Sequence, residues 1–164
     1  MSVAVTLWHI AVDTPDYDST DLTGTGAERS GGRWNRAGTP LVYASTSRAQ
    51  ACLETLVHLT RQPLPLNRYL VALTVPGSAW AAATEFDPAA NIGWDAEPAA
   101  RVSLDWGKAW VAGGVSLLAK VPSIVVPEEF NVLINPAHRA IGEVRAVKQR
   151  RWTYDPRFGA RGAR

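Results

Sequence analysis

The sequence predicts a single α+β domain in which a mostly antiparallel sheet is flanked by helices. The chain has 164 residues, a length that suits one domain with one hydrophobic core. Apolar residues make up 46% and charged residues 20%, which is ordinary for a globular protein. Short strand patterns come both before and after a few helical ones, and no internal repeat is present. We therefore expect one core and one functional site.

Several short segments have the apolar alternation or the apolar runs that are typical of β-strands. In the first segment, Val5, Leu7 and His9 fall on one face of the strand. The predicted strands lie within residues 3–12, 40–45, 68–75, 115–126 and 130–136, with breaks at Pro122 and Pro127. Residues 13–32 are rich in Asp, Thr, Ser and Gly, which predicts a long surface loop, and loops of that length are commonly functional.

The clearest helical pattern lies in residues 45–60. Ser47 followed by Gln50 has the spacing of a capping box, which places the start of the helix there. A buried stripe is expected from the residues at helical spacing, which are Ala49, Leu53, Leu56, Val57 and Thr60. Glu54 and His58, four residues apart, fall together at the border of that stripe.

A second helix is predicted over residues 101–113, ending at a glycine. Its partly buried residues are expected to be Leu104, Trp110 and Val111. The preceding stretch, residues 79–100, combines many alanines with proline and glycine, so irregular turns and a short helix are predicted there.

Cysteine and histidine usage argues against a disulfide or a metal centre. Cys52 is the single cysteine, and His9, His58 and His138 are scattered along the chain, so we expect no metal. The first residues carry no basic flank before their apolar run and soon reach acid and proline. Neither a signal peptide nor a membrane span is predicted there, which favours a cytoplasmic protein.

Positive charge is concentrated at the end of the chain. Residues 145–164 carry seven of the 17 Lys and Arg and a net charge of +6, whereas the first 144 residues carry −4. We place the domain at 1–155 and a basic tail at 156–164. This charge suits a solvated terminus or the seat of an acidic partner better than a phosphate backbone, so direct nucleic-acid binding is not expected.

The common signatures of nucleotide loops, serine hydrolases and zinc proteases are absent from the sequence. What remains is Arg33 in a loop, Tyr43 in a strand and Glu54 in a helix. Arg33 follows two glycines, and its guanidinium suits a phosphate or carboxylate ligand, or else pairs with an acid of the protein. Trp34 is a stacking surface or core, Tyr43 is a packing residue or a ligand wall, and Glu54 is a ligand group or a helix carboxylate beside His58. Spacing alone leaves these alternatives open.

Two long blocks resemble the signature of a known family, the RES domain. They are residues 31–59, "GGRWNRAGTPLVYASTSRAQACLETLVHL", and residues 121–141, "VPSIVVPEEFNVLINPAHRAI", within a likeness that runs from about residue 7 to 155. The resemblance implies a fold like that of ADP-ribosylating toxins and a role as the toxin of a bacterial type II toxin–antitoxin pair, with an Xre-like antitoxin as protein partner. It also implies NAD as the substrate. The ADP-ribose would pass to water, to phosphate or to a protein such as phosphoribosyl pyrophosphate synthetase.

By the same resemblance, the catalytic residues are Arg33, Tyr43, Glu54 and Ser123, and Asn131 matches a further recurring position. Glu54 is expected to stabilise the oxocarbenium-like ribose that forms as nicotinamide leaves. Arg33 is expected to clamp the pyrophosphate and Tyr43 to stack on nicotinamide. Ser123 would hydrogen-bond the nicotinamide amide or order the glutamate.

Two further residues are expected to contact NAD. His9 stands where many family members have an arginine in an aromatic-Arg-Ile strand. It resembles the histidine that helps to hold the adenosine side of NAD in the diphtheria-toxin-like group. Trp34, beside Arg33, offers a flat ring on which a base could stack.

A different class of function stays open on the sequence. The chain would then be a non-catalytic binding module whose basic tail contacts nucleic acid or a partner protein. Arg151, Trp152 and Tyr154 mix charge and aromatic rings as nucleic-acid contacts do. The tail is short and the rest of the chain is acidic, so we favour the NAD-consuming enzyme and assign the tail to partner binding.

Overall fold

A computed structural model describes residues 2–59 and 64–159. Its strands are β1 (Val5–Val12), β2 (Val42–Ser45), β3 (Arg68–Val75), β4 (Thr84–Glu85), β5 (Leu118–Pro122), β6 (Phe130–Ile134) and β7 (Arg145–Trp152). Its helices are α1 (Thr25–Ser30), α2 (Arg48–Leu56), α3 (Gly77–Ala81) and α4 (Arg101–Gly113). The strands form one sheet in the order β4-β5-β6-β2-β1-β3-β7, in which only β4 and β5 are parallel neighbours. The predicted α+β domain with a mostly antiparallel sheet is confirmed.

The two faces of the sheet are covered differently. One face carries a continuous aliphatic core that includes Leu7, Leu73 and Ile134, all exposed by 1% or less. On the other face, α2 packs over β1 and β3 through a small cluster around Ala51. A separate aromatic cluster around Trp110 of α4 covers β5 and β6. This second face is therefore covered in two parts, and β2 runs between them.

The predicted strands lie where the sequence placed them, but α1, β4 and β7 were missed. The short strand β4 lies in the stretch 79–100, where only turns and a short helix were predicted. Residues 13–32 were predicted as loop throughout, whereas Thr25–Ser30 forms α1, a short helix that buries none of its residues. Gly24 and Gly31, with φ of 76° and 69°, bracket it in the left-handed region that glycine tolerates best. β7 was also missed, because its mostly charged residues show no apolar alternation.

The predicted phase of α2 was wrong. Its start is as expected, with the Ser47 hydroxyl accepting the Gln50 backbone N–H at 3.0 Å. The expected stripe is not the buried face, however, since Ala49 and Val57 are exposed, and Thr60 lies outside the described residues. The buried residues of α2 are Gln50 and Ala51. The sheet below offers hydrogen-bond partners to polar side chains, so a polar face turns inward.

The helix α4 follows its prediction and lies close against the aromatic cluster. It ends at Gly113, and Gly114 caps it in the left-handed region. Gly107 allows the close approach, because a Cβ there would lie 1.8 Å from the Trp34 carbonyl oxygen. None of the helices in the described ranges has the length and apolar character needed to cross a lipid bilayer.

Candidate active site

The register of the sheet brings several polar side chains together on the face that α2 covers. Ser45 of β2 lies directly opposite Asn131 of β6 and also opposite Trp8 of β1. Tyr43 precedes Ser45 by two residues, so its side chain leaves the same face about 7 Å away. Ser123 follows immediately after β5, next to β6. This face therefore presents hydroxyl and amide groups where α2 crosses it.

Glu54 of α2 reaches into this group with one carboxylate oxygen. Its Oε1 accepts hydrogen bonds from Ser123 Oγ at 2.5 Å, Asn131 Nδ2 at 2.8 Å and Gln50 Nε2 at 3.2 Å. Among the described residues, no hydrogen bond is made to Oε2 of this half-buried side chain. One oxygen is thus fully engaged by the protein, and the other is available to a ligand.

The donors to Glu54 are themselves fixed. Asn131 Oδ1 accepts from Ser45 Oγ at 3.0 Å and from Gln50 Nε2 at 3.4 Å. Ser123 Oγ accepts the backbone N–H groups of the turn that follows it, at 3.0 and 3.1 Å. Ser45, Gln50 and Ser123 are exposed by 4%, 6% and 0%. We call Ser45, Gln50, Ser123 and Asn131 the clamp, because the last three bond the carboxylate from one side and Ser45 fixes Asn131.

Arg33 lies in a second group on the same face of the sheet. Its Nη1 donates to the carbonyl oxygens of Trp94 at 3.1 Å and Ala96 at 2.8 Å, and its Nη2 donates to Glu97 Oε2 at 2.5 Å. The Arg33 side chain is 13% exposed, whereas that of Glu97 is 77% exposed. The guanidinium therefore fixes the loop before α4 through two backbone carbonyls, and its outer edge is already bonded to the Glu97 carboxylate.

Tyr43 supports the loop that carries Arg33. Its hydroxyl donates to Asn35 Oδ1 at 2.6 Å and accepts the Trp34 backbone N–H at 3.0 Å. A Cβ on Gly32 would lie 2.7 Å from that hydroxyl, which explains the second glycine of the pair. Burial raises the pKa of Tyr43 far above its usual range, so the phenol is neutral. The hydroxyl of Tyr43 is thus occupied in positioning the loop.

Trp34 and His9 lie apart from Glu54. Trp34 is 3% exposed, and its ring packs edge-on against Phe86 at 4.8 Å, so the structure places it in the core rather than on a ligand surface. His9 neighbours Trp8 in β1, so strand alternation places it on the face opposite Ser45. Surrounding protein encloses most of the imidazole, and this burial lowers the pKa of His9 to about 4.

The structure thus unites part of the predicted site and adds to it. Glu54, Ser123 and Asn131 are in direct contact. Arg33 and Tyr43 form a neighbouring group. Sequence reasoning missed Ser45 and Gln50, although the four-residue spacing of Gln50 and Glu54 on one helix was a usable signal. His58 follows the end of α2, is exposed and makes no hydrogen bond to Glu54 in the described chain.

Two recesses on the described surface lie away from these groups. One, of about 320 Å³, is lined by residues of β4, β5 and the loop before β6, among them Lys120 and Glu129. The other, of about 470 Å³, lies between Pro40 and Pro136. Neither is lined by Glu54 or Arg33. Across the described ranges, no three His, Cys, Asp or Glu side chains come together as metal ligands do.

Comparison with known proteins decides the family. The model of the RES domain matches residues 6–156. The chain belongs to the RES domain family. It is 50% identical over 157 residues to the Prs ADP-ribosylating toxin of a Sphingobium species, which covers 95% of this chain and 98% of that relative.

More distant relatives carry the name Toxin Res. The chain is 38% identical to the one from Pseudomonas putida, over 80% of this chain and 85% of the relative. It is 34% identical to the one from Yersinia enterocolitica, over 87% of this chain and 93% of the relative. Glu54, its clamp and Arg33 all lie within the matched RES domain.

Proposed function

We propose that this RES protein is a toxin that consumes NAD by breaking the bond between nicotinamide and ribose and transferring the ADP-ribose. The observation that carries the proposal is the Glu54 carboxylate, with Oε1 held by three donors and Oε2 left for a ligand. The name of the Sphingobium relative, an ADP-ribosylating toxin at 50% identity, supports the same reaction.

The chemistry needs a fixed negative charge beside the ribose. As the C1′–N bond breaks, its electron pair goes to the pyridinium nitrogen, nicotinamide leaves as a neutral molecule, and positive charge develops on the ribose. Oε2 of Glu54 would accept a hydrogen bond from a ribose hydroxyl and offset that charge. The acceptor oxygen or nitrogen then bonds to C1′ and loses its proton. Because the leaving group is already cationic when bonded, no protein acid has to protonate it.

Arg33 supplies the anchor for the pyrophosphate in this proposal. Both protons of its Nη1 are taken by backbone carbonyls, so the Nη2 edge, now on Glu97, is the edge that suits a phosphate. NAD would displace the exposed Glu97 carboxylate there. Tyr43 acts by holding the Arg33 loop, and Ser123 acts by ordering Glu54, rather than either stacking on or bonding nicotinamide.

We infer that the acceptor is a side chain of a protein, such as phosphoribosyl pyrophosphate synthetase. The name of the Sphingobium relative, Prs ADP-ribosylating toxin, supports this for that relative, which is 50% identical to this chain. A reaction of this kind takes place where both NAD and the target are found, so we place it in the cytoplasm. Water and inorganic phosphate are the competing acceptors.

One experiment separates these outcomes. Purified protein is incubated with NAD labelled on the adenylate, alone, with phosphate, and with bacterial lysate, and both nicotinamide release and labelled products are followed. We expect lysate-dependent labelling of a protein band that Glu54→Gln abolishes and Glu128→Gln, an exposed control, leaves intact. Label found only in free ADP-ribose or its phosphate would reassign the acceptor. No nicotinamide release under any condition would overturn the enzyme.

The restraining partner is proposed to bind at β7. This edge strand exposes Arg145, Arg150 and Arg151, none of which has a salt bridge in the described chain, and no described strand pairs with its outer side. A second copy of β7 would bring like charges opposite each other, which disfavours self-pairing. An acidic extended segment of an Xre-like antitoxin satisfies both the charge and the open backbone groups.

The partner proposal is tested with the co-expressed neighbouring antitoxin. Arg150→Glu together with Arg151→Glu should weaken the complex at least about tenfold and make its affinity less dependent on salt. Arg139→Glu, an exposed cation elsewhere, is the control. Equal effects of both changes, or none, would remove β7 from the interface. Retention of nucleic acid by the free toxin, lost with salt, would favour the binding-module alternative instead.

A further inference from the structure

The inward-facing amide of Gln50 is the least expected feature of α2. An amphipathic helix normally buries apolar side chains on its sheet face, and burying an amide is costly unless its hydrogen bonds are made. Gln50 is 6% exposed and lies on the sheet face of α2 next to Ala51. A leucine would fill that position without any polar group to satisfy. Buried polar residues that break the local pattern tend to serve function rather than stability.

The Gln50 amide connects two members of the site. One NH₂ group supplies a hydrogen bond to Glu54 Oε1 at 3.2 Å and one to Asn131 Oδ1 at 3.4 Å. Both partners are acceptors, so the opposite amide orientation would place three oxygens together. The orientation of Asn131 follows in turn, because its Oδ1 receives Gln50 and its Nδ2 is left to donate to Glu54 at 2.8 Å.

Ser45 completes this connection from the sheet. Its hydroxyl, 4% exposed, donates to Asn131 Oδ1 at 3.0 Å and makes no contact with Glu54 in the described hydrogen bonds. Ser45 and Gln50 thus act on Asn131 from two directions, one from β2 and one from α2. Neither side chain would touch a ribose placed at Oε2, since both lie on the Oε1 side of the carboxylate.

We propose that Gln50 and Ser45 are positioning residues, which fix the amide orientation of Asn131 and thereby lock the side-chain rotamer of Glu54. This inference rests on the proposed function for its kinetic meaning. Loss of either residue loosens Asn131 while Ser123 still holds Glu54, so the carboxylate stays charged but departs from its productive orientation for part of the time. The effect falls on kcat more than on KM, because NAD is anchored elsewhere.

Position 45 offers a matched pair of variants. Ser45→Thr keeps the hydroxyl, and Ser45→Val replaces it with a methyl group of nearly equal volume. We expect Ser45→Thr to retain at least about five times the kcat of Ser45→Val, with KM for NAD and Tm nearly equal. Equal kcat values in two folded proteins would overturn the role of Ser45.

A substitution at position 50 tests whether kcat falls without a loss of stability. Gln50→Leu should lower kcat by roughly tenfold to a hundredfold while Tm stays the same or rises, since a buried amide becomes apolar. A fall in Tm with unchanged kcat would show that Gln50 only supports the fold. Leu53→Met, on the outer flank of α2, is the control for the helix.

A double-mutant cycle measures the interaction of Gln50 with Glu54 through stability and needs no enzyme assay. The change in Tm on Gln50→Leu is measured both with Glu54 and in the Glu54→Leu background. We expect the two changes to differ by about 2 °C or more, because the amide is bonded to the carboxylate. Identical changes would overturn the inference even in an active enzyme. Coupling in a protein that releases no nicotinamide would overturn the proposed function while keeping the clamp.

Discussion

Glu54 and Arg33 carry opposite charges on one face of the sheet, and they differ in the partners that hold them. The carboxylate is held by neutral donors on one oxygen, and in the described chain no cation pairs with it. The guanidinium is held by two carbonyls and is paired with Glu97. The Glu54 carboxylate is therefore free to face a positive charge, whereas the Arg33 guanidinium must exchange a partner before it binds another anion.

The largest expected effect comes from removing the negative charge of Glu54. Glu54→Gln keeps an oxygen for the three donors but loses the negative charge, so nicotinamide release should fall roughly a hundredfold to a thousandfold. Tm should change by only a few degrees. Nicotinamide release by liquid chromatography checks the rate, with Glu128→Gln as the control. Retained activity would mean that Glu54 and Arg33 do not divide the work as described.

Arg33→Lys keeps the paired charge but removes the planar fork. The lysine cannot hold two carbonyls and a phosphate together, so KM for NAD should rise about tenfold or more, with a smaller change in kcat. Steady-state kinetics check the split. Arg36→Lys, at a surface pair with Asp105, serves as the control and should match the wild type. A fall in kcat alone would place Arg33 at the reacting bond instead.

Glu97→Gln sharpens the comparison because it should act in the opposite direction. Without its carboxylate, Nη2 of Arg33 no longer has to give up an ion pair when NAD binds, and KM should fall by about twofold to fivefold. The measurement is KM at low and moderate salt, with the advantage shrinking as salt rises. An increase in KM would show that Glu97 supports the loop rather than occupying the phosphate edge.

The smallest effect concerns a residue outside both groups. The pKa of His9 is about 4 in the folded protein against 6.5 for the free side chain. Above pH 6.5 the imidazole is neutral in both states and has no effect, but between 6.5 and 4 the unfolded chain binds the extra proton, so stability falls as pH falls. His9→Gln should flatten the dependence of Tm on pH across this window and leave the kinetics at pH 7.5 unchanged. His138→Gln is the control. An equally steep profile in His9→Gln would assign the pH dependence to other groups.

The resemblance to a family identified residues that spacing alone left undecided. Glu54, Ser123 and Asn131 were named from their two blocks, and the structure joins them. The partners of Arg33 were not foreseeable, because they lie 61 to 64 residues further along the chain and two of them are backbone carbonyls. The sequence around Trp34 fits both a stacking surface for a ligand and a core residue, and only its packing neighbours distinguish the two.

The inward turn of α2 also lay beyond the sequence. Helical spacing identifies an amphipathic helix, but which face is buried depends on what the sheet presents. Here Ser45 and Asn131 present polar groups, so Gln50 and Glu54 turn toward them and Ala49 stays outside. β7 escaped notice for a related reason, because pairing with β3 alone keeps it in the sheet and its side chains carry little apolar signal.

The hydrogen bonds to Glu54 from Ser123 and Asn131 span 69 and 77 residues of chain. Contacts this distant in sequence form late during synthesis, because both segments must be made and the loop between them closed first. A nascent chain whose β6 is still inside the ribosome carries Glu54 without its hydrogen bond from Asn131. On the proposed role of Glu54, the reaction therefore waits until β6 has been synthesised and has paired with β2.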